Sequence, residues 1–353
     1  MIKYLGSKRL LIEPILAAVG AHEGARTVLD LFSGTSRVGH ALKDRGYRVV
    51  ANDHNAYAAT LARCYVQADH GEWAERAERL LAELMEVPPE PGWFAETYCV
   101  ESRYFHPTNG AKIEAIRNAI AAMALEPELE AIVLTSLMEA ADRVDSTTGV
   151  QMAYLKQWAK RAHNPLELRL PAILPQAKSG KGEALECDAF EAAGVEADVA
   201  YLDPPYNQHK YLGNYHVWET LVRWDAPETY GVARKRIDCR ARKSVFNSKP
   251  RIAGAMRELV ERVKAPTLVV SFSDEGYLDR ETMESILASR GAVRVFEHDY
   301  RRYVGARIGI HDPKGRKVGK ISHLKNKERL FIVSEDPAVL ARATSGKDPR
   351  PTP

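Results

Sequence analysis

Residues 28 to 53 constrain the fold more than any other stretch of this chain. An apolar run leads into a Gly/Ser/Thr-rich turn at 33–36, and apolar residues at helical spacing follow the turn. A second apolar run at 48–51 then stops at Asp53. A strand, a glycine turn, a helix, a strand and an acid in this order predict the opening of a parallel α/β sheet.

The composition is that of a folded globular protein. The chain has 353 residues, of which 45% are hydrophobic and 27% are charged, and its net charge is only +3, which excludes disordered and histone-like proteins. Its four cysteines contain no CxxC pair, which argues against a zinc site and favours a reducing compartment. We therefore expect about two domains, no metal, no membrane span and a cytoplasmic location.

A helical segment interrupts the sheet pattern between residues 63 and 182. Apolar side chains there recur at intervals of three and four, which is the periodicity of amphipathic helices. We therefore predict a helical domain inserted into the α/β domain. The predicted helices run through Trp73–Leu84, Ile113–Met123, Ile132–Ala141 and Met152–Ala162.

The sheet pattern resumes at residue 183 and continues to about residue 335. Five further apolar runs predict strands, and the last two could pair as a closing antiparallel hairpin. We expect residues 1–62 and 183–335 to form one Rossmann-like, mostly parallel α/β domain, and residues 336–353 to be a disordered tail. The apolar runs are 184–188, 198–202, 267–272, 292–297 and 329–333.

The glycine turn indicates a ligand that approaches the backbone closely. The segment 30–36 reads Asp-Leu-Phe-Ser-Gly-Thr-Ser and lacks the GxGxxG pattern of a dinucleotide site. Asp53 ends the second strand, where an acid typically binds ribose hydroxyls. Together these features predict a nucleoside cofactor without a diphosphate, and S-adenosylmethionine fits that description. Taken alone, the turn is better interpreted as a generic strand–helix connection.

The sharpest motif is Asp203-Pro204-Pro205-Tyr206, which follows a predicted strand and so lies at the carboxyl edge of the sheet. Because proline donates no N–H, the Asp203 carboxylate and the Pro204 carbonyl can only accept hydrogen bonds. An exocyclic amine such as adenine N6 can donate to both, which makes its nitrogen more nucleophilic. Tyr206 offers a flat face on which the base can stack. A plain strand-end turn is the alternative, and the glycine turn and Asp53 weaken it.

On these motifs the chain resembles the adenine-N6-specific DNA methyltransferases of the Dam-like class. Residues 3–8, Lys-Tyr-Leu-Gly-Ser-Lys, are similar to the N-terminal cofactor motif of that class, and residues 32–35 are similar to its cofactor loop. The segment 188–190 resembles the Gly-Asp-Phe-type segment ahead of the catalytic strand, although Cys187 replaces the usual glycine. Two more stretches, 139–156 and 207–219, resemble restriction-modification members.

The resemblance implies methyl transfer from S-adenosylmethionine to adenine N6 of a flipped base in duplex DNA. It implies catalytic roles for Asp203, Pro204 and Tyr206, and it makes residues 63–182 the target-recognition domain on a Rossmann-like methyltransferase sheet. The cofactor contacts that we predict are Tyr4, Lys8, Asp30, Phe32, Gly34, Thr35, Asp53, Asp188 and Asp203.

Two basic runs are typical of contacts to nucleic-acid phosphates. Arg234–Arg251 has eight bases and one acid, and Arg301–Arg329 has ten bases and two acids, with Tyr303 and His323 interleaved. A pair of solvated loops is the alternative interpretation. The DNA contacts that we predict are Lys210, Asn214, Tyr215, Lys243, Lys249 and Arg251.

Several alternatives stay open at this level. From the residues alone, Lys8 could be a solvated lysine and Asp188 a helix N-cap. The same pocket would suit an RNA adenine-N6 methyltransferase, and the same fold would suit a catalytically silent DNA-binding protein. No cysteine follows a proline, which argues against cytosine-C5 chemistry. As partners we expect double-stranded DNA and a cognate restriction endonuclease, and we expect a monomer or weak dimer.

Overall fold

The computed structural model describes residues 1–301 and 325–344, without the side chains of residues 300, 301, 325 and 326. Most of the second basic run, including Tyr303 and His323, therefore lies outside the described residues, as does the end of the predicted tail. The chain divides into two compact units. The first unit comprises Met1–Ser7, Arg26–Val195 and Lys210–Ser244, and the second comprises Lys8–Ala25, Glu196–His209 and the residues from Val245 onward.

The first unit contains three parallel strands of the sheet. Strand β1 (Thr27–Asp30) pairs in parallel with β2 (Arg48–Asn52), and β2 pairs in parallel with β3 (Glu183–Leu185). The apolar residues of β1 and β2 are buried, as expected for parallel strands whose two faces are both covered. This parallel arrangement places Asp30 and Asn52 at the same edge of the sheet.

The helices of the first unit surround a core rich in aromatic side chains, among them Phe94, Tyr98 and Trp218. Helix α1 (Ile12–Gly20) belongs to the second unit. The helices of the first unit, in chain order, are α2 (Arg37–Asp44), α3 (Ala56–Ala62), α4 (His70–Glu86), α5 (Trp93–Ala95), α6 (Pro107–Ala122), α7 (Pro127–Val144), α8 (Ala189–Ala192), α9 (Tyr211–Asn214) and α10 (His216–Arg223). Shorter elements are the π turns Arg63–Gln67 and Glu96–Val100, the 3₁₀ turns Lys160–His163 and Ile237–Arg240, and a hairpin of β5 (Thr229–Tyr230) and β6 (Lys235–Arg236).

Three of the four helices predicted in the inserted segment are confirmed as α4, α6 and α7, but the helix predicted at 152–162 is wrong. Arg161 donates two hydrogen bonds to the buried Asp145 carboxylate, at 2.9 and 2.7 Å, and a third to the Thr147 carbonyl at 2.6 Å. Lys3 also binds Asp145, at 2.8 Å. Backbone groups of the segment bond outside it in place of a helical ladder: Leu155 N–H donates to the Ser146 carbonyl at 2.8 Å, and Ala159 N–H donates to Ser146 Oγ at 3.1 Å. Gly149, just before the segment, turns the chain with a φ of 96°.

The second unit contains both parallel and antiparallel strands among its described residues. Strand β4 (Val199–Leu202) pairs in parallel with β7 (Thr267–Ser273), and β9 (Lys325–Ser334) pairs antiparallel with both β7 and β8 (Ala292–Arg301). The predicted closing hairpin is therefore confirmed. Among the described residues, each unit contains parallel strands, and the second adds an antiparallel pair, so the mixed, mostly parallel, Rossmann-like α/β fold class is as predicted.

The other elements of the second unit lie along these strands. They are α11 (Ile252–Arg262), α12 (Arg280–Leu287), a last described helix (Pro337–Arg342) and the 3₁₀ turns Lys8–Leu10, Val245–Asn247 and Ala288–Arg290. The predicted disordered tail is wrong at its start, because residues 337–342 are helical. Asp336 caps that helix, Val339 is buried, and Arg294 donates to the Leu340 carbonyl at 2.6 Å.

Among the described residues, no helix is both long enough and apolar enough to span a membrane. The predicted boundaries of the inserted domain stay a prediction, since the helical segment shares the first unit with strands β1 to β3.

Candidate active site

The Asp203 loop begins where β4 ends. The four residues of β4 are buried, and the chain then carries Asp203 beyond the strand with 21% of its side chain exposed. Two hydrogen bonds from other elements hold the loop: Tyr277 N–H donates to the Tyr206 carbonyl at 2.8 Å, and Asn247 Nδ2 donates to the Asn207 carbonyl at 2.7 Å. The motif is therefore a positioned loop.

A buried lysine lies between two carboxylates at this strand end. Lys8 Nζ is 3.0 Å from Asp203 Oδ1, and it donates a very short hydrogen bond to Glu328 Oε1. Only 7% of Lys8 and 5% of Glu328 are exposed. The alternative of a solvated lysine is therefore excluded, and its predicted cofactor contact stays a prediction.

The electrostatics of this site favour a basic acceptor at Asp203. Burial raises the pKa of Asp203 to about 6, with Lys8 lowering it and Glu328 raising it. Burial on its own would lower the pKa of Lys8, but the charges of Asp203 and Glu328 outweigh that effect and raise it well above its ordinary value. Lys8 therefore stays a cation while Asp203 titrates near neutrality.

Tyr206 has the surroundings of a stacking platform. Its ring is half-buried and lies 5.5 Å from the ring of Phe272 on β7, and Lys8 Nζ is 5.8 Å from its centroid. Burial raises the pKa of Tyr206 well above its ordinary value, so its hydroxyl stays protonated at neutral pH. The loop thus brings an acceptor carboxylate and a flat ring to one strand end.

In the first unit, the glycine turn forms a tight cradle. Gly34 has a φ of 52°, and a Cβ at this position would lie 3.3 Å from the Tyr4 ring. Gly34 N–H donates to Asp53 Oδ2 at 3.0 Å, and Asn55 N–H donates to Asp53 Oδ1 at 2.9 Å. Burial raises the pKa of Asp53, while these hydrogen bonds lower it. The Asp53 carboxylate therefore fixes the backbone of the turn by a hydrogen bond, and the Tyr4 ring packs closely against it.

Tyr4 itself is part of an aromatic cluster. Its ring stacks at 4.6 Å on Tyr215 and at 5.3 Å on Tyr211, and its hydroxyl lies 3.3 Å from that of Tyr57. Burial raises the pKa of Tyr4 well above its ordinary value. The N-terminal motif is therefore fixed against both the glycine turn and α9.

A cleft of about 550 Å³ opens beside β3 and α8 in the same unit. Asp188 lines it and also caps α8 by accepting from Phe190 N–H at 2.9 Å, which confirms the N-cap alternative. Cys187, which follows β3, lines it as well. The other lining residues are His54, Glu186, Glu191, Arg223, Asp238 and Arg242.

The remaining predicted cofactor residues occupy the strand end itself. Asp30 is the last residue of β1 and is buried, Thr35 is buried within the turn, and Phe32 is half-buried. Their contacts with a cofactor, like those of Tyr4, Gly34, Asp53 and Asp188, stay predictions.

The predicted DNA contacts separate into exposed and buried side chains. Lys210, Lys243, Lys249 and Arg251 are exposed, whereas Asn214 and Tyr215 are buried, with 3% and 1% exposure. Tyr215 also accepts from Leu5 N–H at 2.5 Å. The burial gives Asn214 and Tyr215 structural roles within their unit, and contact of either with DNA stays a prediction.

Part of the first basic run is neither solvated nor available to phosphates. Arg236 is 4% exposed and forms a bidentate pair with Asp225, at 2.7 Å for both bonds. Arg242 pairs at 2.9 Å with Glu219, which is fully buried. Glu219 also binds Arg223 at 2.7 Å, so it anchors two arginines that line the cleft. The charge run thus mixes structural pairs with exposed cations.

No pattern in the sequence indicates Glu219, Cys187 or, above all, Glu328 as a residue of the site. Glu328 was counted only as an acid within a basic run, and it lies 320 positions from its partner Lys8. It lies between Lys327 and Arg329 in the polar first half of β9, so no local signal in the sequence marks it as a buried acid. Among the described residues, no group of His, Cys, Asp and Glu side chains is arranged to hold a metal ion.

Comparisons with known proteins point to one family. The chain is 30% identical over 322 residues to the Modification methylase StsI of Streptococcus sanguinis, covering 86% of this chain and 49% of that protein. It is 30% identical over 368 residues to the Type II methyltransferase M.FokI of Planomicrobium okeanokoites, covering 98% and 54%. The chain thus spans about half the length of these two relatives.

A third relative matches from end to end. The Type II methyltransferase M.NlaIII of Neisseria lactamica is 28% identical over 339 residues, which cover 92% of this chain and 99% of that protein. The family model of the D12 class N6 adenine-specific DNA methyltransferases matches residues 4–286, a segment that includes Tyr4, the glycine turn and the Asp203 loop. The resemblance drawn from the motifs is confirmed: the chain belongs to the D12 class of N6 adenine-specific DNA methyltransferases.

Proposed function

We propose that this chain transfers a methyl group from S-adenosylmethionine to adenine N6 in double-stranded DNA, as the modification enzyme of a restriction-modification system. The observation that carries the proposal is the Asp203 loop, in which a carboxylate of raised pKa is fixed by Lys8 beside a partly exposed tyrosine ring. Family membership supports adenine N6 as the position that is methylated.

The Asp203 loop suits an amine that must become a nucleophile. A carboxylate has about four lone-pair positions, and Lys8 uses one of them. Asp203 and the Pro204 carbonyl can therefore each accept a hydrogen from an exocyclic amine, which draws its nitrogen toward a tetrahedral shape. The Tyr206 ring holds the base by stacking, which is worth about 1–3 kcal/mol per base.

The residues of the first unit suit the cofactor. S-adenosylmethionine, when bound, supplies the methyl group as part of a sulfonium. Gly34 has a positive φ of 52° and a Cβ there would make a tight 3.3 Å contact with the Tyr4 ring, so the turn favours glycine, and the Asp53 carboxylate that accepts from Gly34 N–H is suited to ribose hydroxyls. The cleft of about 550 Å³ lies within the 300–1,000 Å³ range of small-molecule sites.

The DNA duplex, a cognate endonuclease and a cytoplasmic location belong to the same proposal. Exposed cations at Lys210, Lys243, Lys249 and Arg251 support phosphate contacts. The four cysteines are all free thiols, which supports a reducing compartment.

Radiolabelled methyl transfer from S-adenosylmethionine to duplex DNA tests the proposal, with N6-methyladenine identified by mass spectrometry. RNA of the same sequence is the competing substrate. The wild type should methylate duplex DNA, and Asp203→Ala should lose about a hundredfold or more in rate because one of two acceptors is gone. Asp44→Asn at the exposed end of α2 is the matched control and should keep the wild-type rate. Methylation of RNA alone, or a folded Asp203→Ala protein with normal turnover, would refute the proposal.

A further inference from the structure

The buried ion cluster at the Asp203 loop carries more negative than positive charge. It contains one cation, Lys8, and two carboxylates, Asp203 and Glu328. Burying an extra carboxylate costs free energy unless it is paired and hydrogen-bonded. Glu328 Oε1 also accepts from Ser271 Oγ at 3.4 Å, so this second acid is held from two sides. It lies on β9, beyond the residues 4–286 that match the family model.

The second carboxylate changes what Lys8 does to Asp203. With Asp203 as its only partner, the Lys8 charge would neutralise that carboxylate and make it a weaker hydrogen-bond acceptor. Because Glu328 binds the same ammonium, the Lys8 charge is shared between the two carboxylates. Lys8 can then hold the Asp203 oxygen in place while the Asp203–Lys8–Glu328 cluster keeps a net negative charge.

We propose that Glu328 is a positioning residue of the methyl-transfer reaction. It anchors Lys8 at the strand end and shares its charge, so that Asp203 is fixed in place and still accepts strongly from the target amine. This inference rests on the proposed function and adds a residue to it. The upward effect of Glu328 on the pKa of Asp203 agrees with it.

Several other groups of the described residues face the cluster. Tyr201 on β4 and Tyr206 after it lie near the Lys8 ammonium. His298 on β8 is directly opposite Glu328 in the antiparallel register and is buried, and Ser273 on β7 is opposite Glu328 on the other side. Because His298 is a buried histidine opposite Glu328, its contribution must be separated from that of Asp203 in any pH experiment.

The test is the pH dependence of the single-turnover methylation rate on duplex DNA, measured from pH 5 to 9 at saturating cofactor. In the wild type the rate should fall at acid pH as Asp203 is protonated. In Glu328→Gln the midpoint of this acid limb should move down by about one pH unit, because a like charge is lost. The rate at pH 8 should fall by up to about tenfold, since the acceptor is less basic by that unit. Glu328→Ala should give the same downward shift if the amide variant does not fold.

Three controls make the outcome decisive. Glu328→Asp keeps the charge and should keep the wild-type midpoint. Glu258→Gln makes the same change at an exposed pair with Arg262 and should leave both rate and midpoint unchanged. His298→Asn should leave the acid limb in place. A midpoint that does not move in the neutral Glu328 variants, or an acid limb that disappears with His298, would overturn the inference. A wild type that methylates no DNA would instead overturn the proposed function.

Discussion

Replacing Lys8 by methionine should shift the pH dependence of catalysis toward alkaline pH, opposite to the effect expected for neutral variants of Glu328. The change removes the only cation of the described cluster and leaves two carboxylates facing each other. Loss of an opposite charge at 3.0 Å should raise the pKa of Asp203 from about 6 by roughly 1–3 units, to about 7–9. At pH 7 most Asp203 side chains would then be protonated and unable to accept two hydrogens.

The single-turnover rate of Lys8→Met should therefore be about a hundredfold below that of the wild type at pH 7 and should recover about tenfold by pH 9. About one factor of ten would come from ionisation and the other from the loss of positioning. Lys8→Arg keeps the charge and should keep the acid limb near its wild-type midpoint. An acid limb of Lys8→Met at or below the wild-type midpoint would refute the electrostatic argument.

The same variant should also lose stability in a pH-dependent way. Removing one partner of a buried pair costs about 3–5 kcal/mol in the free energy of unfolding. Because the folded-state pKa of Asp203 lies above its unfolded value, this penalty is present above the folded pKa and is relieved as the pH falls toward 4. Urea unfolding at pH 8 and pH 5 should show a smaller difference from the wild type at the lower pH. An equal difference at both values would contradict the assignment.

The remaining predictions concern the base, the cofactor and the DNA. Tyr206→Phe should keep most of the activity because stacking needs only the ring. Tyr206→Ala should lose roughly 1–3 kcal/mol of base binding, measured with a duplex that carries a fluorescent base at the target. Equal losses in the two variants would indicate a role for the hydroxyl. Gly34→Ala places a methyl group 3.3 Å from the Tyr4 ring at a position whose backbone is left-handed. The dissociation constant of this variant for S-adenosylmethionine should therefore rise about tenfold or more in calorimetry. An unchanged constant would show that the glycine turn is not part of the cofactor site. Neutralising three exposed cations together should flatten the slope of log DNA affinity against log salt concentration by up to roughly three units, with little effect on cofactor binding. An unchanged slope would show that the DNA binds elsewhere on the protein. These cations are Lys243, Lys249 and Arg251.

Local patterns were sufficient to predict the strands and the Asp203 loop, because both depend on contiguous residues. The buried run before Asp203 can only be a strand end, and the apolar runs at 292–297 and 329–333 pair as expected. The helix predicted at 152–162 fails because Ser146 offers the backbone N–H groups of Leu155 and Ala159 other hydrogen bonds, which periodicity does not reveal. Local patterns also cannot show which buried charge pairs with which.

The arginines show the same limit. Arg236 and Arg242 belong to a run that reads as a continuous basic surface, yet each is tied to an acid of its own unit. Only the distribution of partners distinguishes a structural arginine from one that is available to phosphate. The exposure of each side chain therefore separates the cations that are available to phosphate from those in structural ion pairs, and a count of charges does not.

The separation of Lys8, Asp203 and Glu328 along the chain has a consequence for how an active molecule is made. Lys8 and Glu328 are 320 positions apart, so the cluster closes only after β9 has been synthesised. At roughly 5–20 residues per second, the ribosome adds Glu328 several seconds after Asp203. During that interval the nascent chain already contains the whole Asp203 motif but not the acid that compensates Lys8. Methylating activity should therefore be acquired in one late step of biogenesis, when the β8–β9 hairpin docks onto β7.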